Sequence, residues 1–81
     1  MAQRRVQFTF EGDQVKEPVI FLLGNNFPLT TNIRRAQVEG DSGWVVLEID
    51  GELTDIEAGI DWVKSQGVEV QSLEGDILAG D

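Results

Sequence analysis

The chain has 81 residues, of which 41% are hydrophobic and 26% charged, with 15 acidic side chains against 6 basic ones. This length fits one domain over residues 1–81 with a modest core, and the apolar content argues against disorder. Without cysteine a disulfide framework is excluded, and without histidine the commonest general base and metal ligand are missing. An acidic protein of formal net charge −9 is not expected to bind nucleic acid, because it would repel the phosphates.

The sequence shows no sign of a membrane segment. No stretch approaches the roughly 20 apolar residues of a membrane span, and no apolar run follows the two arginines near the start. We therefore expect a cytoplasmic protein with no direct insertion into a membrane. The domain core is expected at about 4–73, followed by a flexible tail at 74–81.

The first half of the chain predicts a strand followed by a helix. In "RRVQFTF", Val6, Phe8 and Phe10 alternate with polar residues, which indicates a strand with one buried face. After the turn-rich segment "EGDQVK", Pro18 is expected as the first residue of a helix that Pro28 ends. The buried stripe of this helix is expected to hold Val19, Ile20, Leu23 and Phe27.

The second half predicts two strands, a helix and a last strand. Residues 30–39 and "WVVLEID" flank the turn "EGDSG", and "VEVQSL" forms the final strand. Thr54 and Glu57 fit a capping box for the second helix, and Gly67 fits a left-handed cap at its end. The order βαββαβ predicts the α+β, ferredoxin-like fold, a four-stranded antiparallel sheet with two helices on one face.

Arginine is concentrated at one end of this predicted sheet. Arg4 and Arg5 begin the first strand, and Arg34 and Arg35 lie early in the second, which runs parallel to the first. Strand alternation sends the two arginines of the second strand to opposite faces unless a bulge intervenes. Cross-strand pairing with carboxylates of the third strand is the favoured interpretation. The alternative is an anion site in which an arginine fork and an asparagine bind two oxygens.

Several large apolar side chains have no predicted place in the core. "VIFLL" is apolar on every side of the first helix, so Phe21 or Leu22 should face outward. Trp62 lies off the main stripe of the second helix, and Trp44 lies on the sheet face opposite Val45. These residues predict a contact surface, although scattered exposed apolar side chains are also normal.

The chain resembles the NIL domain family over residues 5–73. The resemblance lies in the aromatic first strand followed by "EGD…EPVI", in the Asn-Ile pair, and in "GVEV" of the last strand. It implies a ferredoxin-like fold, best known at the C-terminus of the ATPase subunit of methionine-import ABC transporters, where the domain dimerises and binds methionine to inhibit transport. Asn32 and Ile33 match the family's Asn-Ile-Leu, whereas Arg34 replaces the leucine and would suit a more polar or anionic ligand.

Two functions follow as hypotheses. The first is a regulatory domain, dimeric, that binds a methionine-like amino acid or a small anion through Asn32, Ile33 and Arg34. It would act in trans on an ABC transporter subunit or an enzyme, since the chain has no Gly-rich phosphate loop. The second is a protein-interaction subunit without a ligand, with an interface of Phe21, Leu22 and Trp62.

Catalysis is not expected. The remaining general bases would be carboxylates with no visible reason for a perturbed pKa, and no cofactor motif is present. The acidic run "DGELTDIE" lacks the spacing of a calcium loop, so no metal site is expected there either.

Overall fold

A computed structural model describes residues 1–12 and 18–73 of the chain. The polar loop at 13–17 and the expected flexible tail at 74–81 lie outside these residues. Six elements follow one another in the predicted order: β1 (Ala2–Phe10), α1 (Val19–Asn26), β2 (Thr30–Glu39), β3 (Ser42–Gly51), α2 (Leu53–Ser65) and β4 (Glu69–Ser72). Within the described ranges, neither helix has the length and apolar character needed to cross a membrane.

The four strands form one sheet in the order β2-β3-β1-β4, with every neighbouring pair antiparallel. β1 and β2 therefore run parallel with β3 between them, as the crossover argument predicted. Val6 pairs with Leu47, and Phe8 pairs with Val45. The prediction of a ferredoxin-like α+β fold is confirmed.

The core lies between one face of the sheet and the two helices. Alternate residues of β1 and β3 are buried there, and Phe8 and Leu47 are fully enclosed. Each such side chain contributes about 1.5–3 kcal/mol by leaving water. The buried apolar residues are Val6, Phe8, Val19, Leu23, Leu29, Val45, Leu47, Ile49, Ile56, Val63 and Val68. We call the opposite side, which carries Arg5, Gln7, Trp44, Val46 and Glu48, the open face.

The ends of the helices differ from the sequence prediction in two places. Pro18 is the residue before α1 rather than its first residue, a shift of one position. The capping box predicted for α2 is wrong, because Glu52 precedes the helix, no side chain caps it, and Thr54 lies inside its first turn. The reason is that β3 continues to Gly51, which leaves one residue between strand and helix. Gly67 has φ +91° after α2, and the left-handed cap is confirmed.

The two edges of the sheet are unequal. β2 has ten residues, and all but Thr31 are classed as exposed, whereas β4 at the other edge has four residues. β2 and β3 are joined by a two-residue turn, Gly40–Asp41, in which Gly40 has φ +59°. A glycine in the first central position with positive φ is typical of a tight hairpin turn of this length.

Candidate functional site

A β-bulge interrupts β2 at the pair of arginines. Ile33 pairs with Leu47 of β3 and Arg35 pairs with the adjacent Val46, so Arg34 is an extra residue without a partner in the register. Arg35 therefore lies on the open face with Val46, and the Arg34 guanidinium reaches Glu48 on that same face. Strand alternation predicts that the two arginines lie on opposite faces unless a bulge intervenes. A bulge is present here, and because it resets the alternation locally, the two side chains reach the same face.

Glu48 is the centre of an ion-pair cluster on the open face. Arg5, its direct partner on β1, donates a hydrogen bond from Nη2 to Glu48 Oε2, and Arg34 Nη1 lies 3.9 Å from Oε1. The Glu48 side chain is only 14% exposed. The hydrogen bond from Arg5 lowers the pKa of Glu48, the charges of Arg34 and Arg5 add to this, and partial burial opposes it. Glu48 is therefore ionised at neutral pH and holds two guanidinium groups, as the ion-pair interpretation predicted.

The other arginines at this end have different surroundings. Arg4 points to the helix side of the sheet, where its Nη2 lies 4.0 Å from Glu57 Oε2 on α2. Asp50 accepts a 2.8 Å hydrogen bond from the Gln3 amide instead of pairing with an arginine. Arg35 takes part in no ion pair with the residues that the structure describes.

The three residues predicted to bind a ligand lie at the free edge of the sheet. Asn32 pairs with Glu48 and is exposed on the open face, whereas Ile33 pairs with the buried Leu47 and points to the helix side, where it is 54% exposed. Arg34 follows in the bulge, with half of its side chain exposed. A ligand lying on the open face alone would miss Ile33, but a ligand at the edge of β2 can contact all three residues.

Two clefts lie at the opposite end of the sheet. One, of about 370 Å³, lies between α1 and the β2–β3 hairpin, and its apolar lining includes Phe10, Phe21 and Val38. The other, of about 350 Å³, lies on the open face around Trp44 and Gln37. Neither is lined by Asn32, Ile33 or Arg34. Among the residues that the structure describes, the predicted ligand residues therefore lie on an exposed edge, outside both of these clefts.

The predicted contact residues are separated by the fold. Phe21 is 67% exposed, but Leu22 is half-buried, and Trp62 packs against the core with its ring 6.0 Å from that of Phe27. The sequence reasoning missed Val38, which is 72% exposed near the end of β2. The position of Val38 on an outer strand, which the helices do not cover, could have indicated this exposure.

No candidate metal site is found in ranges 1–12 and 18–73, where no three acidic side chains are grouped to hold an ion.

The sequence profile of the NIL domain family matches residues 4–72, nearly the whole chain. The chain belongs to the NIL domain family. The bulge, the Glu48 cluster and the exposed Asn32 are therefore features of a NIL domain.

This NIL domain is similar to part of a methionine import protein and to a solved domain of an ABC transporter protein. The methionine import ATP-binding protein MetN of Halalkalibacterium halodurans is 30% identical over 76 residues, a match that covers 89% of this chain and 22% of MetN. The chain thus spans about a fifth of the length of that relative. The crystal structure of the C-terminal domain of an ABC transporter ATP-binding protein from Enterococcus faecalis superposes with a TM-score of 0.83. That match covers 90% of this chain and 86% of the other, and at 21% identity it concerns the fold.

Proposed function

We propose that this NIL domain is a regulatory module that binds an amino acid or another small carboxylate at the free edge of β2. The observation that carries the proposal is the bulge, which brings Arg34 to the face that carries Asn32, at an exposed edge. Bulges are frequent next to functional sites because they redirect a side chain and leave a backbone group unpaired.

The three residues offer complementary chemistry to an amphiphilic ligand. The guanidinium of Arg34 presents a fork of donors that fits a carboxylate, and the amide of Asn32 can both donate and accept. Ile33 lies on the other side of the strand and offers an apolar contact to a side chain. The 3.9 Å distance to Glu48 orients Arg34 and leaves half of its side chain in contact with solvent. An arginine at this position favours a polar or anionic ligand over methionine.

The family relationship supports the regulatory part of the proposal. A relative bears the name of a methionine import ATP-binding protein, and a structural neighbour is the C-terminal domain of an ABC transporter ATP-binding protein. In our proposal the domain works in the cytoplasm as a dimer, acts on a transporter subunit or an enzyme, and performs no catalysis itself.

A thermal-shift screen, followed by calorimetry, tests this function. The panel contains methionine, the other amino acids, sulfate and phosphate, measured with the wild-type chain, with Asn32→Ala and with Gln71→Ala. Gln71 is an exposed open-face residue at the far edge of the sheet and serves as the matched control. A specific ligand at 100 times its Kd should stabilise the fold by about 2.7 kcal/mol. Asn32→Ala should abolish this gain and Gln71→Ala should keep it; a panel without any saturable shift would contradict the proposal.

A second candidate function is a protein-interaction subunit without a ligand. The exposure of Phe21 at 67%, beside the apolar cleft that it lines, favours this reading. In this candidate Phe21 would be the main contact, with Leu22 and Trp62 at its margin. It predicts that no member of the panel stabilises the chain and that Asn32→Ala behaves as the wild type.

A further inference from the structure

A half-buried tryptophan lies in the second cleft, at the hairpin end of the open face. Trp44 pairs with Thr9 on one side and with Gln37 on the other, so two polar side chains flank its indole on this face. The cleft has a volume of about 350 Å³, a size typical of sites for small molecules. We call it the Trp44 cleft. Its indole is partly exposed at the wall of a concave surface and is therefore accessible to a ligand.

The charged side chains that line the Trp44 cleft are both acidic. Glu39 pairs with Ser42, two residues before Trp44 on β3, and lies on the open face. Glu11 follows the end of β1, at the same end of the sheet. Both are exposed, and neither has an ion-pair partner within the part of the chain that the structure describes. The cleft thus combines an aromatic ring with two carboxylates that lack a counter-charge.

The rest of the open face strengthens this separation of charge. Glu69 of β4 pairs with Thr9 and adds an exposed carboxylate on the other side of β1. The described cations of this face lie towards its opposite end. The nearest of them in the register, Arg35, pairs with Val46 and does not line the Trp44 cleft. Among the described residues, therefore, no cationic side chain lines the cleft beside the indole.

This lining selects the class of ligand. A small anion would be repelled by both glutamates. A metal ion would need more ligands than the cleft offers, since no three acidic side chains in ranges 1–12 and 18–73 are grouped to hold one. A quaternary ammonium or guanidinium ion is attracted by the face of an indole and by carboxylates together. Guanidinium is also weakly hydrated, so it loses less than a compact ammonium ion on leaving water.

We propose that the Trp44 cleft binds a small organic cation, with a quaternary ammonium or guanidinium head group on the indole of Trp44. The carboxylates of Glu11 and Glu39 balance its charge from the hairpin end. The hydroxyl of Thr9 and the amide oxygen of Gln37 can accept hydrogen bonds from its N–H groups, where it has any. The remainder of the ligand lies along the sheet, in the volume of the cleft.

The Trp44 cleft is separate from the site of the proposed function. Asn32 pairs with Glu48, which lies four residues after Trp44 on β3, a distance of about 13 Å along the strand. The edge of β2 carries an arginine and is proposed to bind a carboxylate, whereas the cleft carries glutamates and attracts a cation. This inference therefore goes beyond the proposed function and does not depend on it.

The fluorescence of Trp44 provides a direct test. The chain has two tryptophans, and Trp62 packs against Phe27 away from the cleft, so Trp62→Phe leaves Trp44 as the reporter. Choline, tetramethylammonium and methylguanidine are titrated into this variant, with sodium chloride at equal ionic strength as the control. We expect a saturable change with an organic cation and none with sodium chloride. A signal that fails to saturate with any of the three cations would overturn the proposal.

Calorimetry with choline identifies the residues of the site. Trp44→Leu should weaken binding at least ~5-fold, because leucine is apolar but offers no ring face to the cation. Glu39→Gln should weaken it at least ~3-fold through loss of one charge at the cleft. Glu57→Gln removes the same charge from the exposed surface of α2 and is the matched control. Since Glu39 is exposed, its variant should fold as the wild type; equal binding by the two glutamine variants would refute the site.

Separate measurements distinguish this inference from the proposed function. Choline binding should depend on Trp44, whereas the ligand of the β2 edge should depend on Asn32. A wild-type chain that binds an amino acid through Asn32 but does not bind any of the three cations would refute this inference alone. A chain that binds choline in the Trp44 cleft but responds to no amino acid or anion would contradict the proposed function alone.

Discussion

Arg5 and Glu48 face each other across β1 and β3, and the arginine donates a hydrogen bond to the carboxylate on the open face of the sheet. Arg34 of β2 approaches the same carboxylate from the other side, so Glu48 connects three adjacent strands. The two cations would repel each other without it. Glu48 is therefore the residue through which pH should act on this end of the sheet.

The first prediction concerns acid stability. The pKa of Glu48 is lowered from 4.5 by Arg5, so the folded state binds the proton less tightly than the unfolded chain. The stabilisation by this carboxylate is fully present above pH 4.5 and is lost as the pH falls through the lowered value. The melting temperature of Glu48→Gln should lie below that of the wild type at pH 7, and this gap should shrink below about pH 4.5.

The control for this prediction is Asp50→Asn, which removes a nearby carboxylate that accepts a hydrogen bond from Gln3. An asparagine keeps an oxygen that can accept this bond, so the difference in melting temperature between Asp50→Asn and the wild type should stay small from pH 7 to pH 3. A gap between wild type and Glu48→Gln that stays constant over this range would contradict the assignment. High salt should narrow the gap at pH 7, because the cluster is only partly buried.

The second prediction compares two helical glycines. A methyl group at Gly59 of α2 would lie 2.8 Å from Leu23 Cδ1 and 2.9 Å from Leu29 Cδ1, both in the packed core. Gly59→Ala should therefore destabilise the fold by about 1–3 kcal/mol. Gly24 of α1 is exposed, and a methyl group there would meet only the Leu29 carbonyl oxygen, at 3.7 Å. Gly24→Ala should therefore stabilise the fold by about 0.5–1 kcal/mol. Urea unfolding of the two variants should give opposite signs; equal signs would show that helix packing differs from that described.

The third prediction separates core from surface on α1. Leu23 is fully buried, so Leu23→Ala should cost about 2–5 kcal/mol of unfolding free energy. Phe21, two residues earlier, is 67% exposed, and Phe21→Ala should cost no more than about 0.5 kcal/mol in a dilute monomer. Chemical denaturation at two protein concentrations measures both. A cost for Phe21→Ala that grows with concentration would indicate that an assembly covers this ring.

The fourth prediction concerns ligand preference. Replacing Arg34 removes the guanidinium fork that, in our proposal, binds a carboxylate, and Arg34→Leu adds an apolar side chain next to Ile33. The variant should lose binding of small anions and shift its preference towards amino acids with apolar side chains. Arg4→Leu, which removes a cation from the helix side, is the control and should keep the wild-type preference. Identical ligand profiles for Arg34→Leu and the wild type would remove this residue from the site.

The extent of prediction from sequence can be judged by particular residues. The alternation of Val6, Phe8 and Phe10 and the left-handed Gly67 indicated correct elements, because they reflect local periodicity and backbone sterics. The capping box failed because the length of β3, fixed by pairing with β1, determined where α2 begins.

The bulge could not be predicted, since it depends on how ten residues of β2 are matched to β3. For the same reason, alternation alone wrongly predicted that the side chains of Arg34 and Arg35 lie on opposite faces of the sheet. The burial of Leu22 and Trp62 depends on how the short α1 packs against α2 and β2, which periodicity does not specify. Sequence reasoning therefore predicted the fold, but not the arrangement of side chains along the edge of β2.

The two outer strands of the sheet differ in their capacity to bind a further strand. β2 is ten residues long, so its outer edge presents a long row of backbone groups to another strand. β4 at the other edge is four residues long in the described chain and begins with a glutamate. Short, charged outer strands are poor templates for further strands. A further strand would therefore add to the edge of β2 more readily than to the edge of β4.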